Sequence, residues 1–298
     1  MLIAIPILIA VGMLAIAAIL KRTDLRNVII LLTLLTISAI YLYRGINLGL
    51  DAQLFVLVAL AVIVPIITLI SIIVNVLSKN TEPANNLGLR GEIRRKAFHL
   101  VGLLVFIPPE VFWIPYYRGV IGFNYFFNAN LHPCTAGFLS FIVFLVTFSL
   151  IVAFALIEFL RLTYRPDLFG SLLRDYEKDR IAAYFYSTTA IFVVAVFFYP
   201  NDAIVAAAIA MGFLADLAAC IVGKRFHKIS YKDRSLEGCL ANFAVGSLVG
   251  YWFVGMIAIP VALVLAIVDF LNGALELKLN DNLLFPILVA TLLYILGA

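Results

Sequence analysis

The stretch DAIVAAAIAMGFLADLAACIV, residues 202–222, decides the fold class. It is long enough to cross a bilayer as a helix, and its charges are Asp202 at its start and Asp216 well inside it. An ionised carboxylate at the bilayer centre costs roughly 2.5–3.5 kcal/mol on insertion scales, so Asp216 implies a cation, a metal ion or a polar cavity beside it. At about 1.5 Å per residue, Asp216 lies about 10–12 Å inside the basic loop that follows, a depth that suits chemistry on a lipid headgroup. On the same helix Gly212, Asp216, Ala219 and Gly223 fall at i, i+4, i+7 and i+11, so the carboxylate shares a face with small residues that admit another helix or a ligand. The plainer alternative is close helix packing, with Asp216 neutralised by a buried Arg or Lys.

The rest of the chain shares this apolar character. Its 298 residues are 64% hydrophobic and 13% charged, and the mean hydropathy of +1.11 far exceeds that of a soluble domain. The expected fold is therefore all-α, a polytopic integral membrane protein. Apolar runs near 2–20, 28–43, 54–78, 97–114, 137–160, 181–200, 202–222, 238–255, 257–272 and 283–298 suggest about ten transmembrane helices. The eighth and ninth, divided near Gly255, are short enough to be tilted or re-entrant.

Charge sets the orientation. The loops at 21–27, 79–96, 161–180, 224–237 and 273–282 hold 19 of the 21 Lys and Arg residues, leaving Arg44 and Arg118 on the other side. By the positive-inside rule these loops face the cytoplasm and both termini are non-cytoplasmic. The first run has Lys21-Arg22 behind it and no cation ahead, the reverse of a secretory signal, so it reads as a helix. The net charge of +4 belongs to loops where bases alternate with acids at membrane edges, which argues against nucleic acid as a partner. Cys134, Cys220 and Cys239 give neither a disulfide framework nor zinc-ligand spacing. The aromatic-rich segment 115–136 reads as an interfacial loop on the outer side, and no internal repeat is visible.

Three polar clusters fall on the cytoplasmic side. In the first, Glu92, Arg95, Lys96 and His99 lie at i, i+3, i+4 and i+7, one helical face with two cations and an imidazole. Arg94-Arg95-Lys96 alone would read as a snorkelling anchor, but His99 sits inside the apolar run, where a titratable ring is harder to explain that way. The second begins after Asp216. Lys224, Arg225, Lys228, Lys232 and Arg234 lead to Ser235, an expected N-cap, and Leu236-Glu237-Gly238 forms a first turn whose free N–H groups and dipole favour a polyphosphate. Glu237, an acceptor in a basic setting, suits a metal or ribose contact, with a plain capping acid as its alternative. The third is Asp269 and Asn272 with Asp281-Asn282. Acids that hold Mg²⁺, with Arg and Lys on phosphate oxygens, are what phosphoryl transfer needs. No Walker motif and no protein-kinase motif set occurs.

Residues 90–298 resemble the membrane-bound CTP-dependent lipid kinases, the group of dolichol, phytol and CTP-dependent diacylglycerol kinases. Glu92, Arg95-Lys96 and His99 are similar to that family's first motif. Ala215-Asp216 with Gly223-Lys224, and Arg234-Ser235-Leu236-Glu237-Gly238, are similar to its Gly-Asp…Gly-Arg/Lys and Lys-Ser/Thr-x-Glu-Gly motifs. Asp281-Asn282-Leu283-Leu284-Phe285-Pro286 resembles the Asp-Asn-Leu-x-x-Pro segment of dolichol kinases in particular. The chain departs from the family at Ala215 (usually Gly), His227 (commonly Gly), Arg234 (usually Lys) and Asp269 (typically Glu). Arg for Lys exchanges a point donor for a planar fork and so alters phosphate geometry. Phosphatidate cytidylyltransferase shares some of these segments, but its C-terminal Lys-Asp…His-Gly-Gly…Asp-Arg signature is absent.

The resemblance implies a lipid kinase-like domain over 91–298, preceded by helices of unassigned role in 1–90. The implied reaction moves the γ-phosphoryl group of CTP to a dolichol-type polyprenol, with phytol, geranylgeraniol and diacylglycerol as other acceptors. Asp216, helped by Glu237 or Asp281, is expected to hold Mg²⁺. Arg95, Lys96, Gly223, Lys224, Arg234, Ser235, Glu237 and Gly238 are expected around the nucleotide. Asp216 and His99 are the two expected catalytic residues, the choice of base between them being open, and Glu92, Asp269 and Asn282 complete the expected site. Partners are the lipid alcohol, the nucleotide and membrane lipids.

Overall fold

The computed structural model describes residues 4–21, 25–44, 56–58, 60–66, 68–69, 73, 138–164, 173, 177–198, 201–226, 228–232, 234–275 and 279–298. The expected helix at 97–114, the cluster from Glu92 to His99, the aromatic segment 115–136, Cys134 and His227 lie outside the described residues. The chain divides into two compact units, Met1–Gly91 with Phe144–Val196 and Glu92–Val143 with Phe197–Ala298. The first unit thus takes in a later stretch along with the N-terminal segment that the sequence sets apart.

In the first unit α1 (Ala4–Lys21) packs on α2 (Leu25–Arg44). Ile7, Ala10, Leu14 and Ala17 are buried on α1 and Val28, Leu31, Leu35 and Ala39 on α2, the three-to-four spacing of one helical face. Their outward faces are also apolar, with Ile5, Leu8, Ile9, Ile16, Ile29 and Ile37 exposed. A helix apolar on both faces is at home in lipid or a large core. After α3 (Phe138–Thr163), α4 (Ala183–Phe197) is buried on nearly every side. Its Ser187, Thr188 and Thr189 hydroxyls donate to the carbonyls of Ala183, Tyr184 and Phe185 one turn back, so no hydroxyl on that stretch is left unpaired.

The C-terminal end of α3 holds a buried ion pair. Arg161 and Glu158 are both fully buried. The guanidinium meets the carboxylate at two points, Nε to Oε1 at 3.1 Å and Nη2 to Oε2 at 2.6 Å. Arg161 also donates to the carbonyls of Glu177, Lys178 and Arg180, while the Tyr184 hydroxyl and the Ala182 N–H donate to Glu158. Each charge is matched and each donor aimed, which makes this a brace for the 177–182 turn. Arg161, counted from sequence among loop cations, is therefore a buried structural residue.

The second unit runs α5 (Asp202–Phe226), β1 (Ser230–Tyr231), β2 (Arg234–Ser235), α6 (Leu236–Val254), a 3₁₀ turn (Gly255–Ile257), α7 (Ala258–Ala274) and α8 (Asp281–Ile295). The two-residue antiparallel ribbon pairs Ser230 with Ser235 and Tyr231 with Arg234, and Lys232 takes a left-handed φ of 51° in its turn. It is a small departure from the expected all-α fold, placed inside the basic loop.

Three helical stretches among the described residues are long and apolar enough to cross a membrane: Leu145–Thr163, Asp202–Phe226 and Leu236–Ala274. The last folds back on itself. Gly255 at φ 66° breaks it where the sequence divides the eighth and ninth runs, and contacts from Gly246 to Ala262 and Gly250 to Ala258 pair the arms antiparallel. The arms have 19 and 17 residues. At about 1.5 Å per residue each approaches the thickness of a hydrocarbon core.

The buried residues of α6 are Gly238, Asn242, Gly246 and Gly250, one every fourth position. A Cβ on Gly238 would stand 3.0 Å from the Ala219 carbonyl oxygen, and one on Gly250 would meet Met211 Sδ at 2.5 Å. Small residues thus let α5 and α6 approach closely, while Leu240, Leu248, Tyr251 and Trp252 point outward. On its other side α5 meets α8, where Gly212 lies against Pro286 and Asn201 donates to the Ala298 carbonyl. These pairings bring the C-terminal ends of α5 and α7 to the same end as the N-terminal ends of α6 and α8.

Candidate functional site

Most of the charged residues described in the second unit collect at that shared end. Arg234 leaves β2 between α7 and α8, its Nη1 2.9 Å from Asp269 Oδ1 and its Nη2 3.7 Å from Asp281 Oδ2. The first distance is that of an ion pair, but Asp269 Oδ1 lies off the line of the N–H bonds and has no aligned donor. The other carboxylate oxygen accepts from Asn242 Nδ2 at 2.9 Å. Burial by itself would lower the Arg234 pKa, yet the charges of Asp269, Asp281 and Asp216 outweigh it and raise the pKa above its ordinary value. Asp216 itself is buried on α5. One guanidinium therefore answers to three carboxylates from three helices.

Local sequence explains how these groups meet. Gly273 makes room for Arg234, since a Cβ there would run into its side chain, with Nε at 2.6 Å. Asn272 fixes the connection to α8 by a two-point clamp on Leu279: its Oδ1 accepts from Leu279 N at 3.2 Å and its Nδ2 donates to Leu279 O at 3.0 Å. Two residues later Asp281 opens α8, its Oδ1 accepting from the Asn282 N–H.

The α5–α6 crossing holds the remaining motif residues. Ser235 is the N-cap of α6 as expected, its Oγ accepting from Gly238 N at 3.0 Å. Leu236 N donates to the Ile229 carbonyl, so two of the first-turn N–H groups expected to face a phosphate already have partners. Gly223 and Gly238 serve the same contact, a Cβ on Gly223 standing 2.9 Å from Ser235 Oγ. Glu237 Oε1 accepts from the N–H groups of Lys228 and Ile229, both at 3.1 Å, which braces the basic loop. Lys224, Arg225 and Lys228 are exposed around it, with Arg225 over the Phe226 ring.

The structure thus joins Asp216, Arg234, Asp269 and Asp281 in one cluster, with Asn282 at its edge, and gathers Gly223, Ser235, Glu237 and Gly238 at the adjoining crossing. Glu92, Arg95, Lys96 and His99 lie outside the described residues. Asn242 and Gly273 were missed from sequence. Asn242 had a legible signal as the one polar residue in a glycine stripe of period four; Gly273 had none. Among the described residues no three His, Cys, Asp or Glu side chains form a ready-made metal cage. The donor set nonetheless fits Mg²⁺, which takes one or two carboxylates, phosphate oxygens and water in place of a full protein cage.

No family model and no solved structure matches the chain. It is similar to the uncharacterized protein MJ1137 of Methanocaldococcus jannaschii, 38% identical over 78 residues, which are 26% of this chain and 40% of that protein.

Proposed function

We propose that this chain is a membrane lipid kinase that transfers the γ-phosphoryl group of CTP to a long-chain isoprenoid alcohol at the cytoplasmic face. The observation that carries the reading is the meeting of Asp216, Arg234, Asp269 and Asp281, from four separate segments of the sequence, in one partly buried charge cluster. A carrier would place its polar site near the midplane between repeated halves. Here the charged side chains described on and between the four helices, Asp202 apart, gather at one end, and no repeat is visible in the sequence.

Mg²⁺, when bound, supplies charge neutralisation at the phosphate oxygens, and Asp269 and Asp281 with Asp216 would hold it. Glu237 has one oxygen committed to loop N–H groups and is better suited to keeping the basic loop in place. Arg234 is the fork for the phosphates, with Lys224, Arg95 and Lys96 adding charge as it accumulates on the transferring group. The acceptor hydroxyl gives its proton to Asp216 or to His99 as its oxygen bonds to the γ-phosphorus and the bond to CDP breaks. The lipid tail stays among the apolar helix faces.

The test is to incubate purified protein with labelled nucleoside triphosphates and a panel of lipid alcohols. CTP should outperform ATP, with a lipid monophosphate and CDP as products. A CDP-lipid with pyrophosphate would establish a cytidylyltransferase, and no nucleotide-dependent product from any lipid would end the kinase reading.

A further inference from the structure

Arg161 and Arg234 differ in a way that bears on how the site is loaded. Arg161 makes aligned hydrogen bonds to both oxygens of Glu158 and to backbone carbonyls, the pattern of a permanent brace. Arg234 makes no aligned hydrogen bond to either of its carboxylates: Asp269 Oδ1 is close but off-axis, and Asp281 is 3.7 Å away. Charge rather than aligned hydrogen bonds joins it to these carboxylates, and its side chain is 25% exposed where Arg161 has no exposure at all. Beside it, two oxygens are buried without a hydrogen-bond donor among the described residues, Asp269 Oδ1 and Asn242 Oδ1. Both are hard oxygen ligands, and a buried acceptor with no donor calls for an explanation.

We propose that Asp269 and Asp281 form a divalent-cation seat that Arg234 fills until a nucleotide draws its guanidinium onto the phosphates, so that metal and nucleotide bind as a coupled pair. The inference rests on the phosphoryl-transfer reading and adds to it the order of events within the site. A metal ion arriving alone meets the guanidinium in its place. A nucleotide arriving alone meets Asp269 and Asp281 with Arg234 already engaged between them. When both arrive, Arg234 exchanges an off-axis pairing for a two-point contact with phosphate, and the carboxylates exchange a guanidinium for a metal ion. By reciprocity each ligand then tightens the other by the same factor.

The experiment titrates Mn²⁺ into full-length purified protein, with and without CTP, and reads bound metal by its paramagnetic resonance. Wild type should bind Mn²⁺ weakly alone and at least about tenfold more tightly with CTP, an ordinary size for coupling between sites. Arg234→Gln should bind Mn²⁺ without CTP at least about tenfold more tightly than wild type, and the added effect of CTP should shrink. Arg234→Lys, which keeps the charge, should keep the nucleotide-free affinity low and serves as the folding control. The double variant Arg234→Gln, Asp269→Asn should lose the gain. Unchanged or weaker Mn²⁺ binding by folded Arg234→Gln overturns the proposal. The nucleotide-free comparison needs no turnover: if it succeeds while no lipid is phosphorylated, the seat stands and the kinase reading falls.

Discussion

A single methyl group at Gly273 tests whether Arg234 is held where the structure puts it. The Cβ of Gly273→Ala would meet Arg234 along its stem, with Nε at 2.6 Å and Cδ at 2.9 Å, so the side chain must leave its path to Asp269 and Asp281. Over-packing of this kind costs about 1–3 kcal/mol. Losing the guanidinium from a buried carboxylate adds to it, though less than for a fully buried pair, because the Arg234 side chain is 25% exposed. A net loss of about 2 kcal/mol is expected. Alanine also gains a few tenths to about 1 kcal/mol over glycine in a helix, a term hidden in wild type by the clash. In an Arg234→Ala background the obstacle is gone, so the same Gly273→Ala change should become neutral or stabilising. Denaturant unfolding in detergent, run as a double-mutant cycle, measures this sign reversal. Carrying Asp269→Asn through all four proteins removes the stranded charge if the Arg234→Ala background unfolds. An equal loss in both backgrounds would refute the placement of Arg234 against α7.

Other consequences are equally direct. Asp216→Asn should stay folded and lose at least about a thousandfold in kcat, roughly 4 kcal/mol in the barrier; retention of more than about a tenth of turnover would remove Asp216 from the chemistry. Asn242→Leu strips Asp269 Oδ2 of its 2.9 Å donor and should destabilise by about 1–3 kcal/mol in the same unfolding assay. Arg161→Met strands Glu158 and three carbonyls, so it should cost about 3–5 kcal/mol, with turnover per folded molecule unchanged. For orientation, single cysteines at Asn85 and Asn280 should be shielded from an impermeant reagent in intact cells and one at Asn128 labelled; the opposite pattern would reverse the topology.

What the sequence by itself determined is the part governed by local rules. Composition and apolar run length were enough to expect helices able to cross a bilayer, because lipid demands that each such segment satisfy its own backbone. The break near Gly255 and the Ser235 cap were legible because positive φ and capping chemistry depend on the residue and its immediate neighbours. The prominence of Asp216 was legible too, since a carboxylate in an apolar run stands out wherever the chain goes. Tertiary structure alone decided which charges answer one another. Arg234, expected at the phosphates, sits between Asp269 and Asp281 in the fold; Arg161, counted among the loop cations, is a buried brace. Asn242 turned toward Asp269 through packing of α6 on α7, and Gly273 mattered only because an arginine from another segment crosses it. Ion pairing acts between groups brought close in space, and the distance from 234 to 269 along the chain says nothing of the 2.9 Å that folding leaves between them.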